Sequence, residues 1–170
     1  LDYIAFTRPG KLSQRATCLL KQVGWQVRVF EPLYSVKQKL NPGHKFMDQF
    51  TKLRLFNLTE YSKIIYVDAD TLLLESIDEL FKVPSVFASV RDYMVTKHSF
   101  TSDFNCGMFV LEPSTHLYNK LIELMNETSS YGNYHEQSFL SWVFSKNGTE
   151  LPQIYNGNLA IHEYENDLWQ

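Results

Sequence analysis

Apolar residues follow two alternating patterns along the chain. Short runs rich in β-branched and aromatic residues predict strands, and the strongest is Lys-Ile-Ile-Tyr-Val at 63–67, which is apolar enough for a central strand. Between these runs, apolar residues recur every three or four positions, which predicts helices. The predicted strands are 3–7, 26–30, 63–67, 86–90 and 106–111, and the predicted helices include 11–23, 46–58 and 136–144. Such alternation predicts an α/β fold, with a Rossmann-like, mostly parallel sheet covered by helices on both faces.

Two other stretches shape this picture. Residues 32–45 contain two prolines, one glycine and three lysines, which predicts a polar connector. In the helix that follows, Phe46, Phe50, Leu53 and Phe56 fall on one face. Ser-Ile-Asp-Glu at 76–79 has the spacing of a capping box and predicts the start of a short helix.

Composition narrows the class of protein. The chain has 170 residues, of which 44% are hydrophobic and 15% aromatic, enough for a buried core in one domain. Its net charge is -3, with no dense basic stretch of the kind that binds a nucleic-acid backbone. No apolar run approaches the roughly 20 residues needed to span a bilayer.

Two aspartates follow the strongest predicted strand, in Tyr-Val-Asp-Ala-Asp-Thr at 66–71. If both continue the strand, Asp68 and Asp70 face the same side at its carboxyl end, where open α/β sheets bind ligands. Adjacent carboxylates repel unless a proton or cation lies between them, and oxygen ligands favour Mg²⁺ or Mn²⁺. The pair therefore predicts a metal site that also binds a diphosphate. A solvated acidic turn is the alternative.

Four further polar residues stand at element boundaries. Asn105 comes shortly before a glycine at the start of an apolar strand, where its amide can bind sugar hydroxyls, although a turn asparagine is the alternative. Glu136 and Gln137 open an apolar helix, where the helix dipole alone also favours an acidic residue. Lys52 lies beside the aromatic face of its helix and is a candidate phosphate contact or a solvated lysine.

Taken in order, these segments resemble the glycogenin-like glycosyltransferases of family 8. The similar segments are 51–55, 58–72, 104–107, 136–140 and 151–156, and the matching runs cover residues 46–160. The resemblance implies a nucleotide-diphospho-sugar transferase fold of the GT-A type. It also implies transfer of a hexose from a UDP-sugar to a glycan or protein acceptor, with retention at the anomeric carbon and with Mn²⁺ or Mg²⁺ as the metal.

The resemblance assigns roles residue by residue. Asp68 and Asp70 would coordinate the metal, with Asp68 also near the ribose. Lys52 would face the phosphate and sugar of the donor. Asn105 would bind the transferred sugar together with the Glu136–Gln137 pair.

Glu136 and Gln137 are also the candidate catalytic residues, although most family members carry Asp at the position of Glu136. The family has a first strand that contacts uridine and a third metal ligand, a His before a Lys-Pro segment, and neither is recognised here. We therefore expect residues 1–170 to be a single catalytic domain that is incomplete at both ends.

Two other functions fit the same residues. A haloacid dehalogenase-like phosphatase also places Asp-x-Asp after an apolar strand, with Asp68 as nucleophile, but has Thr or Val where this chain has Leu72. A non-catalytic nucleotide-sugar-binding relative is the second alternative. Metal-dependent release of UDP from a UDP-sugar distinguishes a transferase from both.

Three glycosylation sequons begin at Asn57, Asn126 and Asn147. They favour the Golgi or secretory lumen over the cytoplasm. Because Asn57 belongs to a helix predicted to pack on the core, we expect that sequon to be unused.

Overall fold

A computed structural model describes residues 1–35, 48–127, 135–165 and 167. Within it the chain forms two compact units, Leu1–Arg54 and Leu55–Gln170. The single catalytic domain expected from the sequence stays a prediction.

The first unit contains a parallel strand pair joined by a helix. Strand β1 (Ile4–Thr7) pairs with β2 (Gln26–Val29), and α1 (Gln14–Gln22) provides the crossover that parallel strands need. Helix α1 begins where the Ser13 hydroxyl accepts the Ala16 N–H at 3.1 Å. These three elements were predicted, and the structure confirms them.

A 3-10 helical segment, Gln49–Asn57, corresponds to the helix predicted at 46–58. Phe50, Leu53 and Phe56 are fully buried, as the apolar pattern predicts. Phe46 and most of the connector at 32–45 lie outside the described residues. Asn57 is exposed, because it is the last residue of the segment and follows the buried Phe56, so burial gives no reason for its sequon to be unused. The expectation that this sequon is unused stays a prediction.

The second unit contains a four-stranded sheet in the order β3-β5-β4-β6. Strand β5 runs antiparallel to β3 and β4, whereas β6 runs parallel to β4. Three of the four strands run in one direction, but two of the three neighbouring pairs are antiparallel, so this sheet is mixed rather than mostly parallel as predicted. The strands are β3 (Ile64–Val67), β4 (Phe87–Met94), β5 (Ser99–Leu111) and β6 (Thr149–Glu150).

Strand β5 departs from the prediction in both direction and length. The link from β4 is only Val95–Lys97 and His98, far too short for the crossover that a parallel neighbour needs, so the two strands form a hairpin. His98 adopts a left-handed conformation with φ 46°, which closes the turn. The predicted strand 106–111 is only the apolar half of β5.

The described residues of this unit form three α-helices: α2 (Thr115–Glu127), α3 (Glu136–Phe144) and α4 (Leu159–Tyr164). The predicted capping box is absent, because the short helical segment Asp78–Lys82 begins later and Ser76 instead accepts the Asp78 N–H at 3.3 Å. Within the described part of the chain, no helix combines the length and apolar character needed to cross a membrane.

Stacked aromatic rings hold α3 against β4 and β5. The Phe87 ring lies 4.4 Å from that of Phe144, 5.5 Å from Phe104 and 5.6 Å from Phe109, measured between centroids. All but Phe144 are less than 2% exposed. Such pairs contribute about 0.5–1.5 kcal/mol each beyond burial of their area, so the β4–β5–α3 assembly is a firm support for any side chain that it carries.

Candidate functional site

The hydrogen-bonded pairing between β5 and β4 is interrupted in the middle of β5. From Ser89 to Arg91, β4 advances two positions, while the paired residues on β5, Phe109 and Phe104, are five positions apart. Residues 105–108 therefore bulge from the β4 ladder. Bulges of this kind redirect side chains, and their backbone groups need partners outside the ladder.

Side chains and one neighbouring strand supply those partners. The Gln137 Oε1 accepts the Cys106 N–H at 3.0 Å. The Asn105 Oδ1 accepts the Gly107 N–H at 2.9 Å, and the Gly107 carbonyl accepts the Asp68 N–H at 2.7 Å. Two residues singled out in the sequence, Asn105 and Gln137, thus form part of the scaffold that shapes the bulge.

Ser89 on β4 contacts the backbone at both ends of the bulge. Its fully buried hydroxyl lies within hydrogen-bond range of the Asn105 and Met108 carbonyls, the second at 2.8 Å. We expect Ser89→Ala to lower the free energy of unfolding by about 1–3 kcal/mol, because the Asn105 and Met108 carbonyls lose the one O–H donor that they share. Urea unfolding measures this.

Ser145→Ala is the matched control, because the exposed Ser145 hydroxyl donates only to the Trp142 carbonyl at the end of α3. It should unfold like the wild type. Equal stability of the Ser89 variant and this control would contradict the assignment of Ser89.

Asp68 lies at the carboxyl end of β3, beside this bulge. The Tyr66 hydroxyl donates to Asp68 Oδ1 at 2.5 Å, and the Tyr66 ring stacks on Phe109 with a centroid distance of 4.8 Å. The carboxylate is half-buried. Tyr66, to which the sequence analysis gave no role, thus orients Asp68 from two positions earlier on the strand.

Asp70 does not continue the strand, contrary to the expectation that both aspartates share one strand face. Strand β3 ends at Val67, and the Thr71 N–H donates to the Asp68 carbonyl at 3.2 Å, which closes a turn over residues 68–71. The Asp70 side chain is exposed. The relative position of the Asp68 and Asp70 carboxylates is therefore set by this turn, and not by the alternating side-chain directions of a strand.

The donor chemistry of this turn fits a hard divalent cation. Two carboxylates with oxygen ligands only are what Mg²⁺ and Mn²⁺ sites of nucleotide-binding enzymes use, with substrate phosphates and water completing the shell. Among residues 1–35, 48–127, 135–165 and 167, no cluster of three or more His, Cys, Asp or Glu side chains has a metal-binding arrangement. The metal site expected at Asp68 and Asp70 stays a prediction.

A network of amides and one carboxylate surrounds Asn105. The Asp92 Oδ1 accepts from the Asn105 Nδ2 at 2.8 Å, and its Oδ2 accepts from the Gln137 Nε2 at 2.9 Å. The Asn156 Nδ2 donates to Asn105 Oδ1 at 2.8 Å. Sequence analysis missed Asp92, because a single aspartate within a strand carries no motif.

Asn156 follows the short helical segment Gln153–Tyr155, which is tied down on two sides. The Gln153 Nε2 donates to the Arg91 carbonyl at 2.8 Å, and the Tyr155 hydroxyl donates to Glu79 Oε1 at 3.0 Å. That hydrogen bond, with burial as the second cause, raises the pKa of Tyr155. In the sequence, Asn156 was included only as part of the segment 151–156, which resembles the family. That resemblance was the only sequence feature that pointed to Asn156.

Polar side chains closely surround Gly107. A Cβ at this position would lie 3.1 Å from Asn105 Oδ1, 3.4 Å from Asn156 Nδ2 and 3.7 Å from Asp68 Oδ2. Polar atoms from β3, β5 and the 151–156 segment therefore converge on the face of one glycine. The structure thus brings Asp68, Asn105 and Gln137 into one network.

The structure does not bring the two remaining candidate residues, Glu136 and Lys52, into this network. Glu136 is 2% exposed at the start of α3, and it is rotated by about 100° around the helix from Gln137. Lys52 is half-buried in the Gln49–Asn57 segment of the first unit. Their roles in sugar and phosphate binding stay predictions.

Comparison with known proteins identifies the fold. A solved structure, that of the glycosyltransferase GlyE in Streptococcus pneumoniae TIGR4, superposes with a TM-score of 0.66 at 17% identity. It covers 99% of this chain and 43% of the GlyE chain. The likeness confirms the expected glycosyltransferase fold of the GT-A type.

Sequence relatives extend the comparison. Inositol phosphorylceramide glucuronosyltransferase 1 of Arabidopsis thaliana is 35% identical over 140 residues, which are 82% of this chain and 24% of the relative. Galactinol synthase 4 of Arabidopsis thaliana is 31% identical over 173 residues (84% and 52%), and human glycogenin-1 is 35% identical over 119 residues (67% and 32%). The chain spans about half or less of the length of these relatives.

The family model described as glycosyl transferase family 8 matches residues 11–168, nearly the whole chain. This match includes the Asp68–Asp70 turn, the β5 bulge and the start of α3, and it leaves the phosphatase alternative without support. The chain therefore belongs to glycosyl transferase family 8.

Proposed function

We propose that this chain carries the metal-binding and donor-binding part of a retaining glycosyltransferase that transfers a hexose from a UDP-sugar to a glycan or protein acceptor. The observation that supports this most directly is the convergence of Asp68 and Asn105 on Gly107, with Gln137 bound to the adjacent Cys106 N–H, in a chain matched by the family over residues 11–168. The relatives act on very different acceptors by name, so the proposal concerns the donor.

Asp68 and Asp70 would hold the divalent cation, with Mn²⁺ as our first choice. When bound, the cation neutralises charge that develops on the departing diphosphate. Tyr66 fixes one oxygen of Asp68, so that its Oδ2 is the atom near Gly107. Orientation of this kind by a second residue is usual around metal ligands.

The amides would bind the sugar. An amide nitrogen has two N–H groups, and in Asn105 and Gln137 one of these goes to Asp92. The second N–H of each amide is then available to a sugar hydroxyl. Glu136 would contact the transferred sugar, whereas the phosphate contact expected of Lys52, a residue of the first unit, stays a prediction.

A donor screen tests this function. We expect UDP to be released from at least one of UDP-glucose, UDP-galactose, UDP-N-acetylglucosamine and UDP-glucuronate when Mn²⁺ is present, and not after chelation with EDTA. Thermal shift on the same samples measures binding separately. Stabilisation by UDP without any release would identify a non-catalytic relative, and the absence of both binding and release would overturn the proposal.

A further inference from the structure

We propose that Asp92 is a positioning residue, which fixes the orientation of the Asn105 and Gln137 amides by bridging their NH₂ groups. This inference rests on the proposed function, because it assumes that these two amides face the donor sugar. We call the three linked side chains the amide bridge.

In the amide bridge, each carboxylate oxygen of Asp92 accepts a hydrogen bond from a different amide. Asp92 Oδ1 lies 2.8 Å from Asn105 Nδ2, and Oδ2 lies 2.9 Å from Gln137 Nε2. Asp92 is half-buried in β4, within the register shift that separates Arg91 from Tyr93. It thus joins the β5 bulge to the first turn of α3.

The far ends of both amides are already occupied, so neither amide can turn over without loss. Asn105 Oδ1 accepts the Gly107 N–H and the Asn156 side chain, and Gln137 Oε1 accepts the Cys106 N–H. Only NH₂ groups therefore face Asp92, and a carboxylate, which accepts and never donates, is the matching group. A neutral amide at position 92 would present a donor to one of its two partners.

The charge of Asp92 is directed to these amides. Arg91, its neighbour, points away: its Nε lies 3.0 Å from Glu150 Oε2, and its guanidinium lies 4.4 Å above the Phe104 ring. Adjacent strand residues face opposite sides of a sheet. A carboxylate that polarises an amide N–H also strengthens the acceptor capacity of the same amide's oxygen, and here these oxygens accept the Gly107 and Cys106 N–H groups.

Binding measurements with matched donors test the bridge in the full chain. We expect Asp92→Asn to leave the Kd of UDP with Mn²⁺ within about twofold of the wild type. We expect the same variant to lose about 10- to 100-fold in kcat/KM for the active UDP-sugar, the range usual for residues that orient ligands. Asp103→Asn removes an exposed carboxylate on the neighbouring strand β5; it is the control and should change neither value.

A second variant separates positioning from folding. In Asp92→Ala, exogenous formate can occupy the space between the two amides, and we expect it to restore part of the lost kcat/KM, whereas a residue needed only for folding would show no such rescue. Wild-type kcat/KM in Asp92→Asn, or a lack of formate rescue in folded Asp92→Ala, would overturn the proposal.

Side-chain ¹H–¹⁵N spectra test the bridge without any turnover. In the wild type, the two protons of each amide in the bridge should resonate far apart, because only one is bound to a carboxylate, and in Asp92→Asn they should approach each other. If the wild type releases no UDP, the proposed function fails and these spectra alone decide on the bridge. Unchanged Asn105 and Gln137 signals in Asp92→Asn would overturn it.

Discussion

Replacement of Asp70 by Asn is expected to abolish Mn²⁺-dependent binding of UDP while the fold stays intact. A two-carboxylate site that loses one charge loses much of its hold on a hard cation. We expect the Kd of UDP in Mn²⁺ to weaken by at least about 100-fold, or about 2.8 kcal/mol. Isothermal titration with UDP, with and without Mn²⁺, measures this.

Because Asp70 is exposed, its replacement should change metal binding without changing stability. The side chain is exposed on the turn after β3, and substitutions at such positions usually change the free energy of unfolding by less than about 0.5 kcal/mol. Glu75→Gln removes another exposed carboxylate five residues later and serves as the control. If Asp70→Asn binds UDP with unchanged metal dependence, the assignment of Asp70 is wrong.

Replacement of Gly107 by Ala should damage activity far more than stability. The new Cβ would lie 3.1 Å from Asn105 Oδ1, tighter than most such contacts, so the amide must shift by a few tenths of an ångström. Small displacements of positioning groups can cost as much as about 100-fold in rate. We expect kcat/KM for the UDP-sugar to fall by about 10- to 100-fold, as measured by UDP release.

The fold should tolerate this substitution. The atoms nearest to the Gly107 Cβ are the ends of polar side chains, whereas a Cβ at Gly148 would lie 2.7 Å from the Phe104 ring and 2.9 Å from the Phe144 carbonyl. Gly148→Ala should therefore lower stability by about 1–3 kcal/mol through overpacking. Wild-type kcat/KM in Gly107→Ala would show that the space beside Gly107 is not used by the donor.

The sequence predicted those elements whose apolar periodicity is strong and local. Strand β3 and helix α3 were placed within one residue of their observed ends, because an almost continuous apolar run and a three-to-four spacing are each distinctive. The direction of β5 was not predicted, because it depends on the short His98 turn rather than on the strand residues.

The same distinction applies to the site. Asp68, Asn105 and Gln137 were found because they stand at boundaries of predicted elements within segments similar to a known family. Asp92 was missed because its partners are 13 and 45 residues away in sequence, and only the folded sheet brings them together. The turn at Asp70 was missed because the end of a strand is less distinctive than its centre.

The β5 bulge lies within a strand that is flanked by β3 on one side and β4 on the other. Amide groups at its centre, such as the Cys106 N–H, exchange with solvent only when the surrounding sheet opens, and such openings have free energies near that of global unfolding. We therefore expect the backbone N–H groups of the bulge to exchange slowly, as in a protein interior, rather than at the rate of a surface loop. Heating should consequently inactivate the part of the donor site that the β5 bulge carries when the sheet melts cooperatively, and not at a lower temperature.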